Sequence, residues 1–437
     1  MSFKIWDVVV IGAGPTGISA AISASRNNAS TILIDKYGFL GGTVSSGWVA
    51  WLTGSHDSKG RQIIKGILQE IIDKLVKMEC SDGKVVYRVP NMSTVAIEPE
   101  MFQFAAIDLI DESKITFMLH SLATDINLVG SKIDSLVIHN KDGKSIIKGK
   151  MFIDATGDAD ISVFSKVPFE KGDSGSGFMN AMSLIFRVGN VNIKEFTEWW
   201  EKNPPIEPYK YLPPLMTEEP SIRKAGYLLA QYTKPEQKKL FISTMSIYKD
   251  GTKTKDLNEA EIEARKKVLS INKFLKENVP GFELSFIDGI APSIGVRETR
   301  RIIGDYILSV EDVMTGARFS DVIAKGAFPI DIHHEGQPTL SVLDKDYDIP
   351  YRCLIPKNVE NLLVGGRCIS VEHQVSGTIR ITGACMATGQ AAGAAAALAA
   401  LGKKTTREIK IGKLQELLVN QGCILYDKQV RKTNNVM

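Results

Sequence analysis

The stretch IWDVVVIGAGPTGIS, residues 5–19, decides the fold. Residues 5–11 form an apolar run interrupted only by Asp7, and so short a run, bounded by glycine, reads as a buried strand. The pattern then turns helical over 15–27 and returns to a buried strand over 31–35, TILID, so the chain opens β-α-β. Gly12, Gly14 and Gly17 fall on the strand-to-helix turn with GxGxxG spacing. The first glycine permits a tight turn, the second lets a pyrophosphate approach the backbone, and the third lets helix and strand pack closely. Pro15 and Thr16 open the helix, whose unpaired N–H groups and positive dipole end suit phosphate. Asp35 lies 18 residues after Gly17, where a carboxylate accepts hydrogen bonds from ribose hydroxyls, with Lys36 beside it. The spacing alone does not separate FAD from NAD.

The chain's 437 residues exceed one ordinary core and predict two domains. A net charge of +3 without a basic block gives nucleic-acid binding no support. The N-terminus runs straight into the first strand and lacks a signal peptide's apolar core and cleavage site. Residues 384–401 are 18 uncharged residues, but Ala and Gly dominate them, so they predict a helix buried in protein rather than a membrane span. Five cysteines, never spaced CxxC, point to a reducing compartment, taken as cytoplasm, and away from structural zinc and disulfide exchange.

After the opening unit, helical patterns are expected near 60–79 and 98–111. Strand-like runs follow from 115 to 153, with KDGK suited to a hairpin turn. The middle, about 161–350, has a different texture: strands such as MSLIFRVG and KLFISTMSI, a solvated charged helix around 256–278, and the proline-rich loop KNPPIEPYKYLPP. Past NVENLLVGGR the pattern of strand, glycines and helix returns. The expectation is a cofactor domain built from residues 1–160 and 351–437, with a substrate or cap domain, 161–350, inserted between them.

Three further segments carry a family likeness: Gly41-Gly42-Thr43, FIDATGDAD at 152–160, and LLVGGRCIS at 362–370 before the alanine-rich run. With these the chain resembles FAD-dependent oxidoreductases of the two-dinucleotide-binding-domain type, related to the fumarate reductase and succinate dehydrogenase flavoproteins. The likeness covers roughly the first 160 and last 90 residues, and in the middle mainly GVRETRRIIGDYILS, 295–309. It implies an α/β fold: a Rossmann-like FAD-binding domain of glutathione-reductase type with an inserted α+β substrate domain. It also implies FAD contacts from Gly41, Gly42 and Thr43, from Ala155, Thr156 and Gly157, and from Gly366, Arg367 and Thr382. The family usually has Glu where Asp35 stands. Many fumarate reductase relatives bind FAD covalently through a histidine after the glycine pair; GGTVSSGW has none, so non-covalent FAD is expected.

The same resemblance marks His373 and Arg380 as a loose match to a pair that holds a substrate carboxylate over the flavin, more widely spaced here than in those relatives. A packing histidine and a structural salt bridge are the alternatives. Arg297 is a third candidate for the active site, whereas Arg300, Arg301 and Glu372 are read as fold-stabilising. Trp48, Trp51, Trp199 and Trp200 either wall a pocket or pack in the core. His333 and His334, adjacent on a strand and followed by Glu335, point to opposite faces and do not make a metal site. The reading is an enzyme moving a hydride between a small, anionic organic substrate and flavin N5, with an unidentified electron acceptor and oligomeric state left open. The rivals are a flavin monooxygenase using NAD(P)H and oxygen, which lacks a second GxGxxG here, and a non-catalytic binding protein on the same fold.

Overall fold

The computed structural model describes residues 4–87, 91–204, 212–334 and 338–426. Strand β1 (Ile5–Ile11) leads through helix α1 (Pro15–Arg26) to β2 (Thr31–Ile34), which pairs parallel with β1. After a small separate sheet of Trp51–Thr53, Val85–Tyr87 and Ser93–Ala96, the chain returns with β3 (Thr116–Met118), β4 (Leu122–Val129), β5 (Lys132–Asn140) and β6 (Gly143–Asp154). They join one sheet in the order β3-β2-β1-β6-β5-β4, and the late strand Leu362–Val364 adds parallel to the end of β6. The β3, β2, β1 and β6 pairings are parallel, while β4, β5 and the start of β6 form an antiparallel meander. Residues Val8–Ile11 and Thr31–Ile34 are buried throughout, as parallel strands covered on both faces require. The KDGK turn makes the hairpin, with Asn140 opposite Gly143.

The two early helices are shorter than their patterns suggest, Ile67–Lys77 and Phe102–Glu112. Gly66 stands at φ 60 with no helical backbone before it, so the first of them cannot begin earlier.

The alanine-rich segment is the helix Thr382–Gly402, the one described helix long and apolar enough to cross a membrane, and 89% of its apolar window is buried inside the fold. Its small residues serve a helix-to-helix contact. A Cβ on Gly389 would stand 2.2 Å from the Thr16 carbonyl oxygen, and one on Gly393 would stand 2.1 Å from that of Ala20. Backbone therefore meets backbone between this helix and α1.

Two hydrophobic clusters result. The first holds the large sheet, α1 and the alanine-rich helix, and it also takes in Ile302, Val322, Tyr347 and Ile349. The second lies between the antiparallel strands Leu229–Gln231, Leu240–Ser243, Phe186–Gly189 and Phe286–Ile290 and the helix Thr254–Asn278. That helix buries Ala260, Ala264, Val268, Ile271 and Leu275, spaced three and four apart. Its other face carries ion pairs such as Glu263–Lys267 and Glu261–Arg265, as its charge pattern predicts. Residues 205–211, the centre of the proline-rich loop, lie outside the described residues.

The helix contact gives a stability test. Gly393→Val should destabilise by on the order of 3 kcal/mol or more, because the obstacle is backbone that cannot give way. Gly412→Ala, on the exposed face of the helix Ile411–Asn420 with nothing near its would-be Cβ, should be neutral or stabilising by at most about 1 kcal/mol. Denaturant unfolding of the two variants distinguishes them.

Candidate cofactor and substrate site

One cavity of about 820 Å³ opens at the carboxyl ends of β1, β2 and β6, where ligands sit in open α/β sheets. Gly12, Gly14, Pro15 and Thr16 line it from the first turn, Asp35 and Lys36 from the end of β2, and Gly42 and Thr43 from the next loop. Ala155, Thr156 and Gly157 close it past β6, with Arg367 and Thr382 entering from the C-terminal part of the chain. Gly17, Gly41 and Gly366 are not at its surface. A Cβ on Gly17 would fall 1.7 Å from the Gly12 carbonyl oxygen. The Gly41 N–H donates to Ala13 O at 2.8 Å, and that of Gly366 to Thr388 Oγ1 at 3.1 Å. These three hold the loops together from behind.

Gly14 is different in kind. A Cβ there would meet nothing nearer than Gly42 Cα at 3.8 Å, an ordinary contact, so protein packing does not require glycine at this position. By contrast, one on Gly12 would lie 2.4 Å from Ala155 O. What Gly14 leaves clear is cavity. The N-terminus of α1 behind it has no side-chain cap and no acid in its first turn, so its N–H groups face the same space.

Further observations fit a dinucleotide. Arg367 donates through Nη2 to Asp158 Oδ1 at 2.6 Å, while its buried Nη1 has no partner among the described residues. The Arg367 side chain lines the cavity, and a guanidinium there suits a phosphate oxygen. Asp35 accepts from the Ala13 N–H at 2.5 Å and the Tyr37 N–H at 2.7 Å, leaving lone pairs for ribose hydroxyls. Burial raises this carboxyl above its ordinary value, and the Tyr37 and Ala13 N–H groups oppose that rise.

The other end of the cavity is lined by Tyr227, Arg297, Asp331, His333 and Arg380. Arg297 donates to Ala181 O at 2.6 Å and to Tyr227 OH at 2.8 Å. Asp331 Oδ2 receives Arg380 Nη2 at 2.6 Å and pairs with His333 Nε2 at 3.1 Å. Asp331 and His333 belong to the strand Ile330–His333 and, two residues apart, face the same side. Burial first, and then the charge of Arg297, push the His333 imidazole down to about 4, so it is neutral near pH 7. Burial would raise the Asp331 carboxyl, but His333, Arg380 and Arg297 together hold it well below the usual range. The cluster therefore presents two guanidiniums against one carboxylate. The buried Nδ1 of His333 and Nε of Arg380 have no partners among the described residues. Trp51, Trp200, Leu228, Leu257 and Phe328 supply apolar wall to the same cavity. Trp48 packs edge-on to Phe241, and Trp199 stacks on Phe196.

Of the three expected catalytic residues, Arg297 and Arg380 line the cavity and His373 does not. His373 Nδ1 pairs with Glu298 Oε1 at 2.8 Å, the same carboxylate oxygen that holds the buried Arg301. Arg300 ties down Asp160, and Glu372 accepts from the Val310 N–H. Tyr227, Asp331 and His333 were not expected there. An alternating D-x-H on a short strand was legible for the last two, but attention to the neighbouring pair His333–His334 hides it. His334 is exposed and stacks on Phe178, and Glu335 lies outside the described residues.

Gly14→Ala should keep the fold and lose FAD, whereas Gly12→Ala should cost stability itself, because its Cβ meets backbone. Thermal unfolding together with the FAD-to-protein ratio after gel filtration checks both; a Gly14→Ala protein that retains full FAD would contradict the assignment of this turn to the pyrophosphate.

Residues 7–418 match the family described as FAD dependent oxidoreductase. Among curated proteins, digeranylgeranylglycerophospholipid reductase 3 of Methanosphaera stadtmanae is 29% identical over 119 residues, 26% of this chain and 26% of that protein. Thioredoxin reductase of Bacillus subtilis is 49% identical over 43 residues, 10% of this chain and 13% of that protein. The matches thus span about a quarter or less of these curated relatives. A geranylgeranyl bacteriochlorophyll reductase-like structure from Thermoplasma acidophilum aligns at TM-score 0.49 and 14% identity, covering 96% of this chain and 84% of that one. An anhydrotetracycline hydroxylase from Streptomyces rimosus aligns at 0.48 and 10%, covering 96% and 66%. At these scores neither structure bears on activity. The match across nearly the whole chain does: this protein belongs to the FAD dependent oxidoreductase family, and its cofactor is FAD.

Proposed function

We infer that this FAD-dependent oxidoreductase moves a hydride between a small, anionic organic substrate and flavin N5. One observation carries the reading: Arg297 and Arg380 stand at the wall of the cavity that the glycine turns open, with Asp331 as their one local carboxylate among the described residues. Of the other acids along the wall, Asp158 is engaged by Arg367, Asp160 by Arg300 and Glu261 by Arg265, while Asp35 is the acid proposed for ribose. An arginine pair with surplus positive charge is suited to a carboxylate, which it binds with paired charge-assisted hydrogen bonds. The apolar wall of Trp51, Trp200, Leu228 and Phe328 favours a substrate whose remainder is hydrocarbon or aromatic.

When bound, FAD supplies the hydride chemistry, and the protein's part is positioning and electrostatics. Gly14, the α1 N-terminus and Arg367 are suited to its pyrophosphate, Asp35 to its ribose, and the uncapped N-terminus of the helix Thr382–Gly402 to charge at the ring. Arg297, buttressed by Tyr227 and Ala181 O, and Arg380, buttressed by Asp331, hold the substrate anion. The proposal keeps a cofactor domain made from both ends of the chain and a cap between them. It moves the cap's far boundary to near residue 301, since Ile302 to Ile349 pack with the first cluster. A reducing, cytoplasmic setting is supported by five free cysteines.

FAD is expected without a covalent bond. GGTVSSGW has no histidine, and burial pushes the thiol of Cys385, the cysteine lining the described cavity, up to about 11. Acid precipitation should leave FAD in the supernatant; colour in the pellet would contradict this. Arg297→Met should leave FAD occupancy unchanged and raise the KM or Kd for a carboxylate about tenfold to hundredfold, from the loss of a charged hydrogen bond. Anaerobic flavin bleaching with a panel of carboxylic acids measures it, and unchanged affinity would refute the anion site.

A further inference from the structure

Arg297 and Arg380 reach one cavity wall on separate segments of the chain. Arg297 lies in the stretch before the strand Arg300–Ile302, and Arg380 follows the short helix Ser376–Ile379. The two oxygens of a carboxylate are a fixed distance apart, so they meet both guanidiniums only if these segments are held in register. Behind the wall, the hydrogen bonds that could hold them converge on Asn180, which is 2% exposed.

On the Arg297 side, the Asn180 backbone N–H donates to Glu298 Oε2 at 2.9 Å, and the next carbonyl, Ala181 O, accepts from Arg297 Nη1 at 2.6 Å. On the Arg380 side, Asn180 Oδ1 accepts the His333 N–H at 2.8 Å and Nδ2 donates to Asp331 O at 3.3 Å. The strand decides which way the amide faces, since a backbone N–H only donates and a carbonyl only accepts. Asp331 in turn receives Arg380 Nη2 on its side chain at 2.6 Å. The helix that leads to Arg380 lies directly on the same strand: a Cβ on Gly377 would fall 2.7 Å from Asp331 O. The turn before that helix is pinned as well, through His373 Nδ1 on Glu298 Oε1 at 2.8 Å.

We propose that Asn180 is a positioning residue for the substrate's carboxylate, setting Arg297 and Arg380 in register so that both hold one anion. The proposal rests on the anion reading of the cavity. Asn180 is uncharged, so its replacement leaves the charges at the wall as they were and changes their geometry. Without its amide, the backbone at Asp331 and His333 loses its bonded neighbour, and a strand that shifts to recover hydrogen bonds carries Asp331 and Arg380 with it. Arg297 stays on Ala181 O and Tyr227 OH. An anion shared by the two guanidiniums needs that register, whereas a neutral ligand held by the apolar wall does not.

The test uses FAD-loaded protein and calorimetry with two ligands of similar shape, phenylacetate and phenylacetamide. Asn180→Ala should weaken phenylacetate about tenfold or more and phenylacetamide by less than about threefold, with FAD content unchanged. Asn361→Ala is the control for general loosening. Asn361 is 6% exposed, and its amide likewise joins strand backbone, at Ile133 N, Ile133 O and Lys150 O, without lining the cavity. That variant should keep phenylacetate affinity within about threefold of the parent. Unchanged phenylacetate affinity in Asn180→Ala, equal loss of both ligands, or as large a loss in Asn361→Ala would each overturn the proposal. Where phenylacetamide binds too weakly to measure, the comparison with Asn361→Ala decides alone. If Asn180→Ala does not fold with FAD, Asn180→Ser, whose hydroxyl can keep one of the two strand bonds, is judged by the same outcomes. A parent protein that binds phenylacetate no better than phenylacetamide overturns the anion reading itself, an outcome distinct from tight parent binding that the Asn180 variant retains.

Discussion

Backbone lying directly on backbone beneath the cavity is the constraint on which the rest of the structure depends. Gly12 sits against Ala155 O, Gly17 against Gly12 O, Gly42 against Gly14 Cα, and Gly389 and Gly393 against the carbonyls of α1. Each contact leaves no room for a Cβ. Together they bring the first turn, the second glycine loop, the end of β6 and the alanine-rich helix to one place, although they come from opposite ends of the chain. The turn that faces the cavity then has the freedom these contacts deny elsewhere, and Gly14 is where it is used. A large planar cofactor needs this combination of a rigid floor and a bare backbone rim.

The substrate end follows a different logic. Its side chains are polar and buried, and each is braced by another: Arg297 by Tyr227 and Ala181, Arg380 by Asp331, His333 by Asp331 and Asn180. Bracing fixes their directions, and among the described residues two guanidiniums stand against one carboxylate. Burying such a set in an apolar wall is unfavourable unless a ligand completes it.

Legibility from sequence divides along the same line. The nucleotide end is written locally: strand, glycine spacing, helix and acid lie within residues 5–35, and their roles are set by turn geometry that neighbouring residues dictate. The hairpin at KDGK and the solvated helix Thr254–Asn278 were legible for the same reason. The substrate end is not local. Tyr227, Arg297, His333 and Arg380 meet only through packing between separate segments, and nothing in the sequence around His373 shows that Glu298 will take its imidazole instead. The alanine-rich helix was legible as buried, but its partner, α1, was not, since small side chains announce a close approach without saying to what.

The most direct measurement is a crystal structure of the FAD-loaded protein with phenylacetate. Expected is a pyrophosphate against the Gly14 turn and Arg367, adenosine ribose on Asp35, and a carboxylate between Arg297 and Arg380 beside the flavin ring. A cofactor whose phosphates lie away from Gly14, or a ring whose edge does not reach the Arg297–Arg380 wall, would contradict the assignment of the two ends of this cavity.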